Sequence, residues 1–396
     1  LIGLAQVGNL AATEIFLGVS KSREVLVEIA VPDLIVGEDV DPTHSSTMGQ
    51  VLRDDLTFSG IFHVTEQADF VADRHAEDLE RDSIDFQQWA LLGAQALVKA
   101  RYFREKGSLA LECKLYDVSR GGLITGRKYQ GTEETFRSMV HKFADEIVYR
   151  FTGEQGVART RISFVARTDG YKEVYVMDFD GEALQQVTSD RSIALSPAWS
   201  PDGRYLTYTS YLAKNPDLHM IDLTDSNRTM ISGWPGVNMA AEWAPDGERI
   251  ALVLSKDGNP EMYTMDRKGK DLRRLTYDRM IDSSPSWSPD GREIVFTSDR
   301  SGTPQLYIMN LDGSNVRRLT YEGGFNDLAA WSPRGDRIAF VSRIGGCFQV
   351  CTIKPDGSER QQLTDSVGDN ESPGWSPDGR HIVFSSSRSG TFQVYT

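Results

Sequence analysis

The chain has 396 residues, a formal net charge of −14 at pH 7 and 39% hydrophobic residues. This composition can build sizeable cores, which excludes a largely disordered tether. The acidic balance argues against a nucleic-acid partner, because neutralising phosphates requires clustered Lys and Arg. The length predicts two or three domains.

Residues 1–12, LIGLAQVGNLAA, end in small residues after an apolar run. That pattern fits either the remnant of a secretory signal peptide or a disordered leader. No stretch of the chain reaches the roughly 18 apolar residues that a membrane-spanning helix needs.

Residues 13–153 predict a small α/β domain with a mixed sheet. Strand patterns cover residues 14–19, 25–36, 96–103, 108–118 and 123–130, and turn residues separate the last three. Two helical stripes accompany them: Met48, Val51, Leu52 and Leu56 in one, and Phe136, Met139, Val140, Phe143, Ile147 and Val148, stopped by Gly153, in the other. These residues form no recognisable catalytic constellation.

The remaining residues, 154–396, are dominated by a repeat. The motif WSPDG at residues 199–203 returns four times with little change, and its tryptophans stand 44 residues apart: Trp199, Trp243, Trp287, Trp331 and Trp375. Each unit holds four short alternating runs, which around Trp287 read SPSW, EIVFTS, QLYIMN and VRRLTY. A four-stranded unit that repeats every 40 to 45 residues is typical of a propeller blade.

The spacing predicts six blades. Ile162, Phe164 and Tyr175 keep the register of the later units, although Gln155 stands where a Trp is expected. We therefore expect residues outside this chain to supply the inner strand of the first blade, and we expect the last blade to lack its outer strand. The predicted fold is an α/β domain with a mixed sheet followed by an all-β six-bladed propeller whose last blade and closing strand are incomplete.

The repeated motif itself predicts architecture. Pro, Asp and Gly at fixed places suit a tight hairpin turn. Arg334 replaces the Asp in one unit and Ala244 replaces the Ser in another. Because a catalytic side chain would not be dispensable, we interpret WSPDG as the turn that joins the inner strand to the second strand.

Two columns upstream of each Trp vary from unit to unit. The fifth residue before the Trp is Ala194, Asn238, Asp282, Asn326 or Asn370, and the fourth is Leu195, Met239, Ser283, Asp327 or Glu371. We expect these residues in the connections between an outer strand and the next inner strand, which gather round the mouth of the central channel. Mixed polar side chains there indicate either a recognition surface or ordinary loop residues.

Patterns of enzymes and cofactor sites are missing from the sequence. G-x-S-x-G is absent, the six histidines show no H-x-H or H-E-x-x-H spacing, and neither a P-loop nor a dinucleotide fingerprint occurs. We predict no metal, no cofactor and no enzymatic activity. The alternative is a propeller-containing hydrolase or a sugar-cleaving enzyme; the first needs a separate catalytic domain, and the second needs clustered ligands at the mouth, where Asp282, Asp327 and Glu371 stand.

The order of these features resembles the TolB family, the periplasmic component of the Tol–Pal envelope system of Gram-negative bacteria. The resemblance covers almost the whole chain. It rests on WSPDG units at this step, an α/β domain of this size in front of them, VLRDDLTFSGIFHV at residues 51–64 and TGEQGVARTRISFVAR at residues 152–167.

The resemblance implies a periplasmic, non-enzymatic interaction protein that supports outer-membrane integrity and envelope constriction at cell division. It implies a monomer that binds the lipoprotein Pal at the channel mouth, associates with the outer membrane through Pal, and binds TolA through a short N-terminal segment. Carried over by position, the Pal surface falls on the two variable columns and on Ser284. The TolA segment falls on Thr13, Glu14, Ile15, Phe16, Leu17 and Gly18.

Overall fold

The computed structural model describes residues 5–6, 26–37, 40–65 and 78–396. These residues form two compact units, one within residues 26–160 and the other made of strand β1 (Ala5–Gln6) and Arg161–Thr396. None of the helices in the described ranges combines the length and the apolar character that crossing a bilayer requires.

The first unit is an α/β domain built on a mixed sheet, as predicted. Its elements are β2 (Val27–Ala30), β3 (Ile35–Val36), α1 (Thr43–Phe58), β4 (Phe62–Val64), α2 (Phe86–Leu91), β5 (Ala96–Glu105), β6 (Ser108–Asp117), β7 (Gly122–Gly131) and α3 (Phe136–Thr152). The strand order is β4-β2-β5-β6-β7, with β3 also paired to β5. Strand β2 pairs in parallel with β4 and β5, whereas β5, β6 and β7 are antiparallel.

Helix α3 confirms the predicted apolar stripe, whose six residues are all buried. It ends at Gly153, where φ is 74°, a left-handed conformation that glycine adopts without a steric penalty. Helices α1 and α3 share a buried polar contact between Asp55 and His141, with 2.7 Å from Oδ2 to Nδ1. The short elements β4 and α2 were not predicted, because runs of three and six residues carry too little periodicity.

The second unit contains six small sheets within the described residues, and these are the predicted propeller blades. Blade 1 consists of β1, β8 (Arg161–Thr168), β9 (Tyr171–Asp178) and β10 (Gln185–Gln186); blade 2 of β11 (Ala194–Trp199), β12 (Tyr205–Ser210), β13 (Asp217–Asp222) and β14 (Arg228–Ser232); blade 3 of β15 (Asn238–Trp243), β16 (Arg249–Leu254), β17 (Glu261–Asp266) and β18 (Arg273–Arg274). Blade 4 consists of β19 (Asp282–Trp287), β20 (Glu293–Ser298), β21 (Gln305–Asn310) and β22 (Arg317–Arg318); blade 5 of β23 (Asn326–Trp331), β24 (Ile338–Ile344), β25 (Cys347–Ile353) and β26 (Gln361–Gln362); blade 6 of β27 (Asn370–Trp375), β28 (Ile382–Ser386) and β29 (Gln393–Tyr395).

Blade 1 corrects one expectation. We expected residues outside this chain to supply its inner strand. Instead β1, which lies within residues 1–12, pairs in parallel with β8, with Ala5 opposite Ala166 and Gln6 opposite Arg167. The edge of β8 presents unpaired backbone groups, and an extended segment that reaches such an edge can satisfy them. The other residues of 1–12 lie outside the described ranges.

The WSPDG motif is confirmed as the turn from inner to second strand. The amide of Gly203 donates to the carbonyl of Ser200 (2.9 Å), and the hydroxyl of Ser200 donates to Asp202 (2.5 Å). The glycines of the five turns have φ between 65° and 75°. In blade 5, where Arg334 replaces the Asp, Ser332 donates instead to Asp336 at 2.9 Å. The turn therefore keeps its polar contact with a different partner.

The indole groups of two of the five tryptophans form hydrogen bonds between neighbouring blades. The indole of Trp287 donates to the carbonyl of Glu242 in the preceding blade (3.1 Å), and Trp375 donates in the same way to Ala330 (3.0 Å). The core lies between blades as well, since Trp287 packs in one cluster with Met262 of blade 3. This repeated packing explains why the Trp column recurs without insertion.

Candidate partner-binding surface at the propeller mouth

Five loops connect an outer strand to the next inner strand, at residues 187–193, 233–237, 275–281, 319–325 and 363–369; we call them the mouth loops. Adjacent strands in blades 2–6, and β8, β9 and β10 of blade 1, are antiparallel, so each loop lies at the end of the blade opposite the WSPDG turn. The hydrogen bond from the Ser232 hydroxyl to Asn238 Oδ1 (2.7 Å) shows the two ends of one loop side by side.

The fifth-before-Trp column does not lie in these loops, which corrects the sequence analysis. Each residue is the first of an inner strand, and all five are fully buried: Ala194, Asn238, Asp282, Asn326 and Asn370. Polar side chains indicated exposure, but the four polar members have hydrogen-bond partners inside the propeller. Buried polar groups with such partners do not carry the desolvation penalty of isolated ones.

The asparagines of this column hold the mouth loops in place. Asn238 accepts from the amide of Trp234 (3.0 Å) and donates to its carbonyl (2.7 Å). Asn326 donates to the carbonyl of Glu322 in its own loop (2.9 Å) and to Gln305 of the preceding blade (2.9 Å). These side chains therefore fix the backbone that displays the loop residues.

Asp282, the buried residue of this column in blade 4, is bound by a charged partner and not by backbone groups of its loop. Its carboxylate accepts two hydrogen bonds from Arg300, at 2.9 and 3.0 Å, while the side chain of Arg300 remains one-fifth exposed. Burial raises the pKa of Asp282, and hydrogen bonds from Ser298 and Arg300 together with the charge of Arg300 act in the opposite direction. The ion pair therefore offsets part of the cost of a buried carboxylate.

The fourth-before-Trp column is closer to solvent. Leu195, Met239, Ser283 and Asp327 are half-buried, and Glu371 is buried. Burial raises the pKa of Glu371, and the nearby charge of Asp369 adds to the effect. Two of the predicted residues from neighbouring blades meet, because the hydroxyl of Ser284 donates to Asp327 at 3.1 Å.

A β-bulge follows the fourth residue before the Trp in each of the five inner strands of blades 2–6. The third residue before each Trp has φ between 51° and 56°: Ser196, Ala240, Ser284, Leu328 and Ser372. Non-glycine residues seldom adopt this left-handed conformation, which costs about 1 kcal/mol. The bulge bends the mouth end of each inner strand in the same way.

Sequence reasoning missed the aromatic residues of the mouth loops. Tyr277 is 74% exposed, Tyr321 is 73% exposed and Trp234 is 47% exposed. The signal that could have revealed the two tyrosines is the column ten residues before each Trp, which elsewhere holds the small or polar Ser189, Gly233 and Asp365; Trp234 stands one residue after this column. An aromatic residue in such a column has no place in the shared core.

Arginine side chains lie over the two exposed tyrosine rings. The guanidinium of Arg274 lies 4.6 Å from the ring centre of Tyr277, and that of Arg318 lies 4.9 Å from the ring centre of Tyr321. Arg274 is itself held by Glu261, at 2.9 Å. Exposed aromatics on fixed supports lose little side-chain freedom on binding, which is characteristic of residues that dominate interfaces.

In the part of the chain that the structure describes, no group of three or more His, Cys, Asp or Glu side chains is placed to hold a metal ion. His219 stacks on Tyr208 and accepts a hydrogen bond from Arg228 (3.1 Å), and burial lowers its pKa. The proposed TolA segment, Thr13 to Gly18, lies outside the described residues.

Known proteins match the chain over both units. The TolB amino-terminal domain family matches residues 17–124, and the TolB beta propeller domain family matches residues 148–396. The Tol-Pal system protein TolB of Desulfosudis oleivorans is 37% identical over 216 residues, which are 54% of this chain and 49% of that protein. The Tol-Pal system protein TolB of Syntrophotalea carbinolica is 41% identical over 163 residues, 41% of this chain and 38% of that protein.

The chain thus spans about half the length of the curated relatives it matches, or less. A solved structure covers more, since the crystal structure of TolB from Acinetobacter baumannii matches 97% of this chain and 94% of its own with a TM-score of 0.78 at 27% identity. Since the propeller family alone matches well over half of the residues, the chain belongs to the TolB family of Tol–Pal system proteins.

Proposed function

We propose that the chain is a non-enzymatic periplasmic protein that binds Pal at the propeller mouth and TolA through residues 13–18. In this role it links to the outer membrane through Pal and supports envelope integrity and constriction at division. Membership of a Tol–Pal family supports the choice of partners. The observation that carries the binding site is the set of exposed, cation-held aromatic rings on neighbouring mouth loops.

The burial of the proposed contact residues divides them into two groups. The half-buried Leu195, Met239, Ser283, Ser284 and Asp327 remain candidates for direct contact with Pal. The buried members of the two columns act through the loops that they hold: Ala194, Asn238, Asp282, Asn326, Asn370 and Glu371. Tyr277, Tyr321 and Trp234 join the surface as its main anchors.

Isothermal titration of the full chain with the periplasmic domain of Pal tests this proposal. We expect Tyr277→Ala and Tyr321→Ala each to weaken binding about 30-fold, since an anchoring aromatic contributes about 2 kcal/mol to an interface. Val316→Ala is the matched control, because Val316 is also exposed (40%) but lies between β21 and β22, at the opposite end of blade 4.

The possible outcomes separate the claims. If all three variants bind like the wild type, the mouth surface is wrong; if the wild type does not bind at all, Pal is the wrong partner. For TolA, replacing Ile15 and Phe16 by Ser should abolish binding and leave Pal binding intact. TolA binding that survives this replacement would refute the proposed segment.

A further inference from the structure

The α/β domain has an open sheet edge. Strand β7 is the last in its sheet, and among the described residues no strand pairs with its outer side. It is ten residues long, and Leu123, Ile124 and residues 126–128 are exposed. An edge of this length presents a row of backbone donors and acceptors to any extended chain that reaches it.

The hairpin that precedes β7 determines which backbone groups face outward. Strands β5 and β6 join through a two-residue turn, Lys106 (φ 50°) and Gly107 (φ 86°), which places Glu105 opposite Ser108 in a hydrogen-bonded pair. Hydrogen bonds then alternate along β6, so its odd-numbered residues bond to β7.

It follows that Arg127 and Tyr129 bond inward to β6, whereas Gly126, Lys128 and Gln130 direct their N–H and C=O groups outward. An independent contact agrees, because the guanidinium of Arg127 folds back and donates to the carbonyl of Gly126 at 3.2 Å. Three consecutive outward positions are enough to pair a short strand.

A groove runs beside this edge. It has a volume of about 340 Å³ and lies between β7 and α3, and its lining includes Arg127, Tyr129, Lys142, Tyr149 and Arg159. Burial raises the pKa of Tyr129 to about 12, so its phenol remains a neutral hydrogen-bond donor. Tyr149 is 44% exposed and offers an apolar face.

The groove has an excess of positive charge. Glu146 is already paired with both Arg127 (2.6 Å) and Arg150 (2.8 Å), and Asp145 is paired with Arg159 (2.8 Å). Lys142 is exposed and has no ion pair with any described residue. In a chain whose net charge is −14, this local surplus favours an acidic ligand.

We infer that the outer edge of β7 binds an extended, acidic peptide segment of a partner protein by strand addition. The backbone of the segment pairs with Gly126, Lys128 and Gln130. Its alternate side chains enter the groove, where their carboxylates meet Lys142 and Arg127, which shares Glu146 with Arg150. Main-chain pairing supplies the affinity and the groove supplies the sequence preference.

Fluorescence anisotropy with the full chain tests this site. The probe is a fluorescein-labelled peptide of ten residues in which valine and glutamate alternate. We expect Lys128→Pro to weaken binding at least about tenfold, because it removes an outward N–H without removing a bond to β6. Lys128→Ala is the matched control, since it loses the same ammonium group and keeps the edge; its effect should stay below about threefold.

Two further arms keep the test decisive if Lys128→Pro disturbs the fold. A probe N-methylated on alternate amides should lose binding to the wild type, and Lys142→Glu should weaken the acidic probe while improving binding of a valine–lysine probe. Equal binding of the methylated and unmethylated probes would overturn strand addition. Absence of binding by the wild type, or no response to Lys142→Glu, would overturn the site.

Discussion

The two ends of the inner strand repeat in different ways. At the turn end the letters themselves recur with two replacements, Ala244 for Ser and Arg334 for Asp, and the five glycines share a left-handed conformation. At the mouth end the geometry recurs while the letters change: all five strands start at a buried residue and bulge at the third residue before the Trp. Repetition of sequence therefore marks one end and repetition of shape marks the other.

This difference shows what variation means in a repeat protein. The fifth-before-Trp column varies because each blade anchors its loop with its own chemistry, an amide in blade 3 and an ion pair in blade 4. Variation there is structural. The exposed variation lies a few residues earlier, in loops that carry Trp234, Tyr277 and Tyr321. Variable and exposed positions together, rather than variable ones alone, locate a recognition surface.

The largest effect is expected where a variable residue of the mouth end is buried. Asp282→Ala leaves Arg300 without its buried partner, and we expect the free energy of unfolding to fall by about 3 kcal/mol. Urea denaturation followed by circular dichroism measures the change.

Asp282→Asn is the matched control. Asparagine occupies this column in three other blades, so the amide fits the space, and we expect a loss of about 1 kcal/mol. Equal losses for Ala and Asn would mean that volume, and not the contact with Arg300, matters at this position. A change in Pal binding without a change in stability would restore Asp282 as a direct contact.

The two ends also differ in how far sequence alone could predict them. The hairpins of blade 4 were predicted to the residue for β20 and β21, since period-two alternation and Gly-containing turns define them. The inner strand begins two residues before the predicted SPSW run, and the outer strand pairs over Arg317 and Arg318 alone. Strand ends depend on pairing with neighbours, which a local pattern does not contain.

Burial at the mouth end could not be predicted for the same reason. Asn326 resembles a loop residue until its partner Gln305, from the preceding blade, is known. The exposed Tyr277 resembles a core residue until the small residues of its column are compared. A polar side chain is expected to be exposed unless a hydrogen-bond partner inside the protein is known. Here the partners lie about 20 residues upstream or downstream, so the local sequence does not reveal them.

Glu242, near the turn end of the inner strand of blade 3, gives a test that depends on pH. It stands beside Trp243, where the other inner strands carry Ala198, Ser286, Ala330 and Gly374. Burial raises its pKa from 4.5 to about 7. The unfolded chain therefore releases this proton near pH 4.5 and the folded chain near pH 7, so the free energy of unfolding falls as pH rises through this window.

We expect Glu242→Gln to raise the free energy of unfolding at pH 8 by about 2 kcal/mol, a value reduced from the full shift because the side chain is only half-buried. Below pH 4.5 wild type and variant should unfold alike. Urea titrations at several pH values give the comparison. A difference that is the same at all pH values would show that the carboxylate charge is not its cause.

The smallest effect tests the backbone of the two ends directly. Gly203 at the turn end has φ of 67° with open space where a Cβ would lie, while the exposed Ser372 at the mouth end has φ of 56°. We expect Gly203→Ala to lower the free energy of unfolding by about 1 kcal/mol, and Ser372→Gly to raise it by about 0.5 kcal/mol, because glycine removes the steric penalty but adds freedom to the unfolded chain. Thermal unfolding of both variants against wild type measures the signs. If Ser372→Gly were destabilising, the left-handed residue of the bulge would have to be held by contacts of its side chain, and the mouth end would then repeat a chemical requirement as well as a shape.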